Sequence, residues 1–147
     1  KSIVSHTSEL PEAFPPMSVI LTLDDDIDIS RGDMIVKVNN GPAIGQDIDI
    51  MMCWMSEKPM QLNGKYGIKH TTSDARCMVK EVKYKVDVNT LDKITDDTNI
   101  GLNEIARVSL RTTKPLFYDS YRQNRKTGAI ILIDEATNVT VGAGMIV

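Results

Sequence analysis

Along most of its length the chain alternates apolar and polar residues with a period of two. Successive side chains of a strand point to opposite faces, so this alternation predicts half-buried β-strands. "MSVILTLD" sets Met17, Val19, Leu21 and Leu23 against Ser18, Ile20 and Thr22. "DIDIMMCW" places Ile48, Ile50, Met52 and Trp54 on one face, with Asp47 and Asp49 opposite. "EVKYKVDV" opposes Val82, Tyr84, Val86 and Val88 to Lys83, Lys85 and Asp87. "ARVSLRT" turns Ala106, Val108 and Leu110 inward and Arg107, Ser109 and Arg111 outward. "GAIILID" is a continuous apolar run, which predicts a strand buried on both faces. The turn clusters "ELPEAFPP", "VNNGPAIG", "QLNGK" and "TTSD" punctuate these runs. Only Asn89 to Asp97 departs from the pattern. Leu91 and Ile94 lie three apart behind Asn89 or Thr90 as an N-cap, which predicts one or two helical turns.

Short strands with regular turns indicate an all-β sandwich or barrel. The last stretch, "NVTVGAGMIV", sharpens this. Gly142 and Gly144 fall on one face of a strand that carries Val139, Val141, Ala143 and Met145 on the other. A dinucleotide fingerprint would need a third glycine, a following helix and an acidic residue some 20 positions on. Only Met145, Ile146 and Val147 follow Gly144. The two glycines are therefore expected to be architectural, letting a neighbouring backbone approach or a barrel strand bend.

The chain has 147 residues, 41% hydrophobic and 25% charged, the balance of a globular protein. No apolar run approaches the ~20 residues of a membrane-spanning helix. It opens at Lys1 and reads as a piece of a longer polypeptide. Net charge is −3 but uneven: residues 1–60 hold four basic and ten acidic groups, residues 61–147 thirteen and ten. The change follows "NNGPAIG", the best internal boundary. Before it lie too few strands to close a barrel, so the N-terminal part reads as the tail of a domain. A mild basic excess in the second part is a poor footprint for nucleic acid.

Most candidate chemistry fails on spacing. Cys53 and Cys77 are too far apart for a CxxC motif, and His6 and His70 complete no zinc set. "DDDIDISRGD" lacks the glycine and glutamate of a calcium-binding loop in every register. It reads as an acidic turn in which Gly32 supplies an unusual backbone angle. No GxxxxGK[ST], NKxD or DxxG occurs, so the chain cannot itself hold a nucleotide in the P-loop manner. His70 reads as a strand-end residue, not a base. The most unusual stretch is "YDSYRQNRKTGAIILID". Its Tyr121, Asn124, Arg125, Thr127 and Gly128 form either a long barrel connection covering a core end or a docking surface, since Tyr and Arg concentrate at interaction hot spots.

"ISRGDMIV" and "NVTVGAGMIV" resemble the second and third β-barrel domains of elongation-factor-like translational GTPases. "DDDIDISRGDMIV", "KYKVDVNTLDK", "LNEIARVSL" and "YRQNRKTGAIILIDEATNVTVGAG" resemble more closely the large, GTP-binding subunit of bacterial ATP sulfurylase (sulfate adenylyltransferase), over about Glu9 to Met145. The "WMSEKPM" at Trp54 to Met60 fits that family too. The resemblance implies an all-β chain, with residues 1–42 as the end of a second barrel and residues 46–147 as a closed antiparallel third barrel. It implies a sulfate-activating parent that makes adenosine 5′-phosphosulfate and pyrophosphate from ATP and sulfate, driven by GTP hydrolysis. GTP and Mg²⁺ would belong to a GTPase domain outside this chain, so no catalytic, cofactor or metal residue carries over. Expected partners are that GTPase domain and a small catalytic subunit in the cytoplasm, with neither nucleic acid nor membrane. The alternative is a translation-elongation-factor-like GTPase. The acidic pI near 5.3 argues against its RNA partner.

Overall fold

A computed structural model describes residues 2–6 and 8–147. Among these the chain is all strand and turn, with ten strands and no helix. It divides into two compact units, one up to Ser30 and the other Arg31–Val147.

The first unit is a three-stranded antiparallel sheet of β1 (Ser2–Ser5), β2 (Ser8–Leu10) and β3 (Ile20–Thr22) in the order β2-β1-β3. The strand expected over "MSVILTLD" shrinks to Ile20–Thr22, and all three of its residues are exposed. Phe14 and Ile20 are more than 60% exposed, and Leu21, Leu23, Ile27 and Ile29 are exposed as well. Water is an unusual place for so many large apolar side chains.

The second unit is a barrel. Its strands are β4 (Ala43–Trp54), β5 (Lys65–His70), β6 (Ser73–Val86), β8 (Ile105–Tyr118), β9 (Ala129–Ile133) and β10 (Thr140–Ile146), and the two-residue β7 (Lys93–Ile94) extends the end of β6. The order is β5-β9-β10-β4-β8-β6, and β6 pairs again with β5. Six antiparallel strands thus close on themselves, which removes open sheet edges.

The core follows the alternation where it is regular. Ile48, Ile50, Met52 and Trp54 of β4 are buried, as are Ala106, Val108 and Leu110 of β8. The Trp54 ring meets Tyr66 edge-on at 5.4 Å, and its Nε1 donates to the Lys58 carbonyl at 2.8 Å. β9 departs from expectation. Ile130 and Leu132 are buried but Ala129, Ile131 and Ile133 are only partly covered, because a barrel wall has one inner face.

Two further expectations fail for identifiable reasons. In β6 the buried residues run Cys77, Val79, Val82, Lys85, because bulges fall between Val79 and Glu81 and between Val82 and Tyr84. Each bulge inserts one residue and shifts the inward phase. Lys85 therefore faces in, while Val88 is 59% exposed. Residues 89–97 form no helix. The Asp87 carboxylate accepts from the Asn89 and Thr90 amides, an Asx turn that competes with helix formation, and Leu91 sits at φ 66° with its side chain in solvent.

Candidate functional site

The connection from β8 to β9 carries the singled-out motif, and it is tied down at several points. The Tyr121 amide donates to the Ile146 carbonyl at 2.8 Å, and the Ile146 amide donates to the Gly128 carbonyl at 2.8 Å. Within the loop, the Asn124 amide donates to Ser120 and the Gly128 amide to Asn124, while the Asn124 side chain accepts from the Lys126 amide at 3.1 Å. Thr127 Oγ1 donates to Asp119 Oδ2 at 2.6 Å. A Cβ on Gly128 would stand 2.4 Å from Tyr121 Cα and 2.5 Å from Tyr121 N, so only glycine lets the two arms of the loop meet.

His70 completes this fastening. It ends β5, is 1% exposed, and places Nε2 2.6 Å from the Thr127 carbonyl. A carbonyl only accepts, so Nε2 carries the proton. No local pattern announces this pairing, because the two residues lie 57 positions apart. Tyr121 and Thr127 are thus half-buried, whereas Asn124 and Arg125 are exposed. On one side of the loop, Asp119, Asn124 and Thr127 border an open cleft of about 590 Å³ whose other wall is residues 33–37.

Gly32, Gly142 and Gly144 also sit where a side chain is disfavoured. Gly32 has φ +106°, a conformation L side chains rarely adopt. Gly142 and Gly144 face the barrel interior, where a Cβ would meet Met52 Sδ at 3.2 Å and Ile50 Cδ1 at 2.9 Å. What fills their space is core side chains more than neighbouring backbone.

The outer face of β4, β8 and β6 carries a charge lattice. Asp49 accepts from Lys83 Nζ at 2.6 Å, Ser109 Oγ at 2.6 Å and Arg107 at 3.1 Å. Asp47 pairs with Arg111 at 2.6 Å and Lys80 at 3.4 Å. Partial burial pushes the Asp49 carboxyl up, but the donors of Lys83, Ser109 and Arg107 outweigh it and hold the group down at about 2. Cys77 is the opposite case: burial pushes its thiol up to about 12, so it is no nucleophile. Among the described residues no three His, Cys, Asp or Glu side chains converge as a metal site. No phosphate loop of the GxxxxGK[ST] type occurs in the sequence.

The chain is 46% identical to sulfate adenylyltransferase subunit 1 of Bacteroides thetaiotaomicron, matching over 100% of its own length and 32% of that relative. It is 50% identical to the bifunctional enzyme CysN/CysC of Mycobacterium tuberculosis, over 92% of the chain and 22% of the relative. It thus spans about a third or less of these relatives. Among solved structures, sup35 complexed with GMPPNP superposes with a TM-score of 0.85 at 15% identity, covering 99% of this chain and 36% of that one. At that identity the likeness shows the fold. A family profile described as GTP-eEF1A C-terminal domain-like matches residues 47–147, the barrel from β4 to β10. The chain belongs to the GTP-eEF1A C-terminal domain-like family.

Proposed function

We propose that this chain is the non-catalytic C-terminal barrel region of the GTP-dependent large subunit of a sulfate adenylyltransferase. The observation that carries the reading is identity of 46% along the whole chain to a protein of that name. The parent would couple GTP hydrolysis to formation of adenosine 5′-phosphosulfate and pyrophosphate from ATP and sulfate, in the cytoplasm. GTP and Mg²⁺ would sit in a GTPase domain upstream of Lys1, and a separate catalytic subunit would complete the assembly.

Residues 1–42 are the end of a second barrel, and the third barrel runs from about Gln46 to Val147. Support comes from the exposed apolar side chains of Phe14, Ile20, Leu21, Ile27 and Ile29. They have the composition of half a core, and strands encoded upstream would cover them.

The test uses the complete large subunit with its catalytic partner. GTP-stimulated formation of adenosine 5′-phosphosulfate by the pair, with no GTP binding by residues 1–147 alone, is the expected result. Micromolar GTP binding by the isolated chain would overturn the non-catalytic assignment, and a pair inactive on sulfate would overturn the parent activity.

A further inference from the structure

The outer barrel wall has one face that the charge lattice does not cover. Strand register places Cys53, Ala143 and Ile131 in one outward row across β4, β10 and β9, with Ile105 of β8 continuing it. Met51, Met145 and Ala129 form the next row. Ala129 and Ala143 are small, so the floor drops between larger neighbours. The result is an apolar groove of about 420 Å³ walled by Met51, Ile105, Ile131, Met145 and Tyr121. Methionines suit such a surface, since the flexible thioether adapts to its occupant.

Tyr121 joins this groove to the β8–β9 loop. Directly after it come Arg122, Arg125 and Lys126, all exposed, and among the described residues none of the three makes an ion pair. The cations of the charge lattice, by contrast, are neutralised by Asp47 and Asp49. The loop itself is held by Gly128, His70 and Asp119, so its cations stand on a fixed support. An apolar slot bordered by Tyr121, the first residue of a loop segment that goes on to carry three unneutralised cations, is complementary to a polypeptide segment of apolar side chains followed by carboxylates.

We propose that this groove and loop dock the catalytic subunit of the assembly through such an apolar-acidic segment. The proposal rests on the reading of the chain as part of a large subunit, a class of protein whose relatives are named subunit 1. Burial of the Tyr121 ring and the two methionines would supply the anchor, and Arg122 and Arg125 would steer and orient the partner.

The experiment measures binding of the purified catalytic subunit to the complete large subunit by calorimetry, at low and high salt. Met145→Asp puts a charge in the groove; the double change Arg122→Glu with Arg125→Glu reverses the rim; Lys65→Glu, on exposed β5 surface, is the control. Melting temperature and GTP affinity of each free variant are measured alongside. Expected is at least a tenfold loss of partner affinity for Met145→Asp, and a loss for the rim variant that shrinks at high salt. GTP affinity is expected to stay unchanged, and Lys65→Glu to behave as wild type. Wild-type affinity in both variants would overturn the docking site, while sulfate activation by the same mixture would leave the functional reading standing. Loss of GTP affinity in Met145→Asp would overturn it differently, showing that the groove seats the protein's own upstream domain. If the wild-type pair neither associates nor activates sulfate, the functional reading fails and the proposal with it. The exposed rim variant keeps the test decisive even if Met145→Asp does not fold.

Discussion

Lys85 Nζ lies 2.6 Å from Glu104 Oε1. The same ammonium donates to Asp97 at 2.8 Å and to the Asn99 carbonyl at 2.9 Å, so all three of its protons are used. Lys85 is only 7% exposed, yet its partners reach water. One buried cation therefore pins the long loop between β7 and β8 to the barrel end. Burial disfavours the charged lysine, but the Asp97 and Glu104 carboxylates outweigh it and raise its pKa. Lys85→Met should lower stability by about 1–3 kcal/mol, the scale of lost hydrogen bonds to a charged group. Urea unfolding would show it, and equal midpoints for variant and wild type would contradict the pinning role.

Acid stability should report on Asp49. Its folded pKa of about 2 lies below its ordinary 3.8. A depressed carboxyl contributes stability that is full above the ordinary value and is lost as pH falls through the folded one. The contribution should therefore fade between about pH 4 and pH 2. Asp49→Asn should be less stable than wild type at pH 7, with the difference narrowing toward pH 2. Melting curves across that range check it.

The barrel glycines should rank by what their missing Cβ would strike. Gly128→Ala sets a methyl against Tyr121 backbone at 2.4 Å, where nothing can swing aside. It should cost about 3 kcal/mol and loosen the loop. Gly144→Ala is crowded by the tip of Ile50 at 2.9 Å, which can rotate away, and otherwise meets the Met51 carbonyl and Ile130 at ordinary contact distances, so it should cost under about 1 kcal/mol. Gly144→Val cannot be accommodated so simply and should cost about 1–3 kcal/mol. Thermal melts of the three would test the order.

Leu91 offers a stabilising change. It holds φ 66° while 76% exposed, so the strain has no packing to offset it. A left-handed conformation costs an L residue about 1–2 kcal/mol, and glycine adopts it freely. Gly also loses more freedom on folding, so Leu91→Gly should gain only about 0.5–1 kcal/mol. A variant that melts earlier than wild type would count against this.

Cutting the His70 fastening should free the β8–β9 loop. His70→Ala leaves the Thr127 carbonyl without its donor and opens a hole beneath it. Unfolding should become easier by about 1–3 kcal/mol. Hydrogen exchange at the Asn124 to Gly128 amides should rise before that of β4 or β8. Unchanged exchange there would show the loop is held by other means.

The regular strands were legible in sequence because period two survives wherever pairing is uninterrupted, as in Ile48 to Trp54 and Ala106 to Leu110. Lys85 was misplaced because bulges are set by the partner strand, and no local residue announces them. The helix expected at Asn89 to Asp97 lost to the Asp87 side chain, whose acceptor suits a turn as well as a cap. β9 read as doubly buried because its outward Ile131 and Ile133 are apolar; Ile131 stands beside Ala143 of β10, and Ile133 between Thr140 and Gly67. The motif residues Tyr121 to Gly128 stood out by composition. Their fastening to His70 and Ile146 is long-range and invisible without the fold.

The last strand has a consequence for the order of synthesis. β10 lies between β9 and β4, bonded to both, and Ile146 pairs with Ile50 of the adjacent β4. Every earlier strand can leave the ribosome and still be unable to close the circle. Until Thr140 to Ile146 emerge, β4 and β9 each present an unpaired edge, and the newborn chain is most exposed to pairing with its neighbours in that interval.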